Sequence, residues 1–66
     1  MPADAPTYVR DLTVRDWEAV ADLDEKQQNI SLIARCYGLT LDAVRDLPLK
    51  VFRQCASEVA ERNDLG

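Results

Sequence analysis

The sequence predicts an all-α fold, a compact bundle of about four short helices, and three observations predict it. Apolar residues recur at helical spacing, as in Ile30, Ile33, Ala34 and Tyr37. Thr13, Asp24 and Thr40 each stand at the head of such a run, where a side-chain oxygen can accept from free N–H groups of a first turn. Gly38 and Pro48 punctuate the pattern where helices must stop.

In chain order, residues 1–12 read as a flexible or extended N-terminal arm, 13–63 as one helical domain and 64–66 as a frayed C-terminus. Thr13 caps a short helix from Val14 to Ala21 or Asp22, with Asp16 three residues on as an imperfect capping box. Val14, Trp17, Val20 and Ala21 share a face, and Trp17 is its expected core anchor. The alternative is that Trp17 is an exposed binding residue. Asp24 and Gln27 then start a second helix, about Glu25 to Tyr37. It carries two apolar stripes: Ile30, Ile33, Ala34 and Tyr37, and beside them Leu32 and Cys36. A helix apolar over so wide an arc is either central in the fold or covered by a partner. Gly38 ends it, and Leu39 is placed to fold back on it. Thr40 caps a third helix, Leu41 to about Asp46, with Leu41, Val44 and Leu47 inward. Pro48 opens a last helix to about Arg62, with Phe52, Cys55, Ala56 and Val59 as its stripe and Val51 and Ala60 at the margins. Leu32, Cys36 and Val51 are the candidate protein-binding residues.

Composition narrows the function. A chain of 66 residues buries only about 60% of the surface its unfolded form exposes, so oligomerisation or docking on a partner is a common remedy. Twelve acids face eight bases, a net charge of −4, which is the wrong sign for neutralising phosphates. There is no histidine, and two cysteines without a C-x-x-C pair cannot build a structural zinc site. No glycine-rich phosphate loop and no serine with an activating partner is present, so neither an enzyme nor a cofactor is expected. Calcium would need a turning glycine that ADLDEKQQN lacks. Cys36 and Cys55 read as small buried hydrophobes with reduced thiols. MPADAPTYVR has no apolar run of the kind a secretory leader needs, and no stretch is long enough to span a membrane.

Ile33 to Leu47 has the outline of a helix-turn-helix, which keeps a small DNA-binding regulator as one alternative. Its second helix, however, would bring Asp42 and Asp46 toward phosphates with only Arg45 between them. Another small interaction module, such as half of a toxin–antitoxin pair, is a further alternative.

From about Tyr8 to Val59 the chain resembles the small tail assembly chaperones of long-tailed bacteriophages and prophages. The residues that carry this are Leu12-Thr13-Val14-Arg15-Asp16, the apolar helix around Ile30-Ser31-Leu32-Ile33-Ala34, Gly38-Leu39-Thr40 with Val44, and Leu47-Pro48 leading to Phe52. Lys50-Val51 stands where the family pattern would place an acidic residue before the aromatic. The resemblance implies a non-enzymatic chaperone acting in the cytoplasm of a bacterial host cell during tail morphogenesis. It implies the tail tape measure protein as partner, with tail tube subunits as a second candidate. No nucleic acid and no membrane is expected, and self-association stays open.

Overall fold

The computed structural model describes residues 6–65, so residues 1–5 of the N-terminal arm and Gly66 lie outside the described residues. Four helices follow in order: α1 (Val14–Val20), α2 (Glu25–Tyr37), α3 (Leu41–Arg45) and α4 (Leu49–Arg62). The fold is all-α, a small bundle with no strand among the described residues. α2 is the post of the bundle: it packs against each of the other three helices. Its wide apolar arc is therefore spent mostly inside the molecule.

The helix starts follow the caps. Thr13 and Asp16 form a reciprocal capping box at α1. Asp24 accepts from the Gln27 N–H at 2.9 Å and Thr40 from the Ala43 N–H at 3.0 Å. Gly38 ends α2 at φ +66°, a left-handed conformation that a Cβ makes costly. The Leu39 N–H then reaches back to the Ala34 carbonyl at 2.9 Å. At the other end, Asp64 also takes a left-handed φ of +57°, and the Leu65 N–H donates to the Ala60 carbonyl at 2.8 Å. Residues 64 and 65, where the sequence suggests fraying, thus close the last turn of α4.

Ile33, Cys36 and Val44 are fully buried, with Ile30, Ala34, Tyr37, Cys55 and Val59 around them. Phe52 is a half-buried flank of this core, not its centre.

Four residues expected to face inward are outside: Leu41 of α3, 45% exposed at the first position of its helix, and Val14, Trp17 and Ala21 of α1. Trp17 is 64% exposed and Val14 71% exposed. α1 instead buries Asp16 and Val20, four apart on the adjoining side of the helix. The reason is electrostatic. The Asp16 side chain is only 4% exposed, yet it receives two bonds from the Arg10 guanidinium (2.8 and 3.0 Å) and one from Arg35 (2.8 Å). The Thr13 N–H (2.8 Å) and hydroxyl (3.0 Å) donate to the same carboxylate. A carboxylate so fully satisfied can be buried, and burying it turns Trp17 to solvent.

The same cluster seats the N-terminal strap, residues 7–12. The Val9 and Arg10 N–H groups both donate to the Cys36 carbonyl, at 2.8 and 3.2 Å. The Tyr8 ring packs edge-on against Tyr37, 5.5 Å between centroids, and the Arg62 guanidinium lies 4.6 Å from the Tyr8 ring centre. The Asn63 side chain accepts from the Leu12 N–H at 2.8 Å and donates to the Tyr8 hydroxyl (3.0 Å) and the Val59 carbonyl (2.9 Å). The strap is therefore held to both α2 and the end of α4. Among the described residues, every buried side-chain nitrogen and oxygen has a partner.

Two outcomes follow for stability. Ile33→Ala should cost about 2–5 kcal/mol, enough to unfold most of so small a domain, measured by thermal circular dichroism. The Arg10 guanidinium, with Thr13 and Arg35 behind it, holds the Asp16 carboxyl far below the usual carboxylate range. A depressed folded pKa gives stability that is fully present above the unfolded value of about 4 and is lost as pH falls below it. Chemical denaturation should therefore show stability declining with pH below about 4. Asp16→Asn should flatten that decline. It should also cost about 3 kcal/mol at neutral pH, the lower end for a broken buried pair, because Arg10 and Arg35 stay wet enough to rehydrate.

Candidate protein-docking site

The outward turn of α1 has a consequence for the surface. Val14, Trp17 and Ala21 lie three and four residues apart, so they form one apolar stripe, and all three are exposed. Val14 and Trp17 of this stripe form one wall of an open groove of about 290 Å³. Leu32 of α2 and Leu12 of the strap line it too, and Leu65, 52% exposed, closes its far side. Through Leu32 and Leu65 this groove runs into a second, smaller one over Ala56 and Ala60 of α4. Neither lining includes a charged side chain. In a chain with 30% charged residues, that makes a continuous apolar furrow suited to a protein partner rather than a phosphate.

Local structure explains each wall. α1 is oriented by Asp16; Leu32 lies on the stripe of α2 that no helix fully covers, and is half-buried. Leu12 is fixed by its N–H bond to Asn63, which itself lines the groove. Leu65 is placed by the closed turn at the end of α4.

Of the three candidate binding residues, Leu32 sits in the furrow. Cys36 is fully buried and packs in the core, so its side chain offers no surface. It lies only four residues from Leu32, but the strap lies over the carbonyl end of α2 and covers that turn. Val51 is half-buried against the core and lines neither groove. The sequence pattern offered no reason to place Val14 or Leu65 beside a groove, and it favoured Trp17 inside over its alternative as an exposed binding residue. The available signal was Asp16 itself: a capping-box acid with arginines to pair it belongs inward, so Trp17, one residue on, does not.

The described residues offer little else chemically. Burial pushes both the Cys36 and Cys55 thiols up, and both cysteines are free and buried. They therefore lack the low pKa and access of a reactive thiol. Burial, and then the bond to Asp11, pushes the Tyr8 phenol up to about 12, so it remains a protonated donor. No group of three or more potential metal ligands occurs among the described residues, and no described helix is long and apolar enough to cross a membrane. The would-be recognition helix α3 has five residues, and its Arg45 is engaged by Asp42 at 3.3 Å.

The bundle with its uncharged furrow is a small helical protein that leaves on its surface the kind of apolar patch a partner covers. Comparison with known families agrees: the family model described as "Phage tail assembly chaperone proteins, E, or 41 or 14" matches residues 8–63. The chain belongs to this family of phage tail assembly chaperones. Comparisons with curated proteins and with solved structures returned no match.

Because Trp17 is exposed, Trp17→Ala should change folding stability by no more than about 0.5–1 kcal/mol, in contrast to Ile33→Ala; paired denaturant melts check this. Neither cysteine should react with an aromatic disulfide reagent until denaturant is added, as thiol release assays would report.

Proposed function

We propose that this chain is a non-enzymatic chaperone that holds the tape measure protein during tail assembly, in the cytoplasm of the bacterial host, by receiving an apolar helical face on the furrow of α1, α2 and α4. The observation that carries this reading is the exposed Trp17 stripe beside Leu32 in a groove without charges. A long helical protein made before its tube surrounds it presents apolar faces that must be kept from aggregating, and helix-in-groove docking covers them. A large aromatic at the rim of an apolar groove is the kind of side chain that dominates such contacts. Tail tube subunits are the second candidate for the same surface. No cofactor and no nucleic acid takes part in this reading.

Co-expression with helical segments of the tape measure protein, followed by co-purification and calorimetry, tests it. The wild-type chain should bind with a negative heat-capacity change from apolar burial. Trp17→Ala should weaken binding at least about tenfold while the fold is retained. Binding unaffected by both Trp17→Ala and Leu32→Glu would remove the furrow from the reading, and no binding to any tape measure segment would remove the partner.

A further inference from the structure

A second surface, on the far side of α2 and outside the furrow, has the opposite character. Ile30, Leu47 and Phe52 floor an open pocket of about 330 Å³ where α2, α3 and α4 meet, with Leu49 on its rim. Leu49 is apolar and 62% exposed at the first turn of α4. Two cations, Lys26 and Arg45, complete the lining, and no carboxylate does. The chain as a whole is acidic, with 12 acids to 8 bases, so a lining whose charged members are both cations stands apart from it. Lys26 enters no ion pair among the described residues. Arg45 is paired with Asp42 at 3.3 Å, but Asp42 is almost wholly in solvent, so that bond is readily exchanged.

We propose that this pocket docks an acidic segment of a partner protein, one that inserts a bulky apolar side chain between carboxylates. The apolar floor needs an anchor, and Lys26 and Arg45 set the sign of what flanks it. A bare phosphate or nucleic acid backbone would leave Ile30, Leu47 and Phe52 unused. The chain's own exposed acidic turn, Asp22-Leu23-Asp24, fits less well, because the Asp24 carboxylate already caps α2 at the Gln27 N–H. The inference stands apart from the tape-measure reading, since it concerns other residues: Trp17→Ala probes the furrow and Lys26→Glu the pocket.

The test is a nuclear magnetic resonance titration of the isotope-labelled full chain. The probe is a short synthetic peptide with a central leucine–phenylalanine pair flanked by glutamates, compared with its lysine-flanked counterpart. The glutamate peptide should shift the resonances of Ile30, Leu47 and Phe52, bind more weakly as salt rises, and leave Trp17 unmoved. Lys26→Glu should weaken binding at least about tenfold, and a negative charge in the first turn of α2 suits that helix end, so the fold should hold. Arg45→Gln is the second variant, with a loss of the same direction. Equal binding of both peptides, shifts centred on Trp17 and Leu65, or unchanged affinity in both variants would overturn the proposal. So would a concentration-dependent dimer abolished by Lys26→Glu, which would assign the pocket to a second copy.

Discussion

The carboxylate of Asp16 is the constraint on which the other features depend. One buried acid collects bonds from the strap (Arg10), from its own cap (Thr13) and from the central helix (Arg35). Remove it, and three segments lose their common reference. α1 has seven residues, too few to be stable by itself in water, so its orientation is set by what it docks against. Here the docking is polar. Asp16 and Val20 face in, and the apolar side chains on the other face are left to solvent. A buried ion cluster is weak evidence for net stability, but it does specify which way a short helix turns.

That specification links fold to function. A chaperone that must hold an apolar helix needs apolar surface of its own that does not collapse into its own core. In a chain this small, a tryptophan would ordinarily be drawn inside, and the ion cluster prevents this by occupying the inward positions of α1. The remainder of the core is made by α2 with α3 and α4, so the bundle does not depend on Trp17. The chain belongs to the phage tail assembly chaperone family, and the exposed apolar furrow is the surface on which the proposed docking rests.

Much of the architecture was legible in the sequence because it is written in local chemistry. Thr13, Asp24 and Thr40 cap helices, Gly38 supplies the left-handed stop, and α2 spans Glu25–Tyr37 as its pattern indicates. The orientation of α1 was not legible, because period alone cannot rank a carboxylate with two arginine partners against an indole. The docking of the strap was equally hidden: it relies on the Cys36 carbonyl, a backbone group that every residue carries. Asn63 was hidden for a third reason, since its partners Tyr8 and Leu12 are more than fifty residues away in sequence. Leu32 keeps some surface because it lies on a stripe that α2 could not wholly bury; Cys36, on the same stripe, is covered by the strap.

The bonds from Asn63 to Leu12 and Tyr8 span 51 and 55 residues. They join the strap to the end of α4, and this imposes an order on folding during synthesis. α2 and α3 can associate as soon as both have left the ribosome, since their contacts are close in sequence. The strap cannot be fully seated until Arg62 and Asn63 have been made, so one wall of the furrow is completed only after α4. Until then Leu12 has no fixed place. Until α4 has emerged, the nascent protein therefore lacks a finished apolar groove that could capture the wrong neighbours.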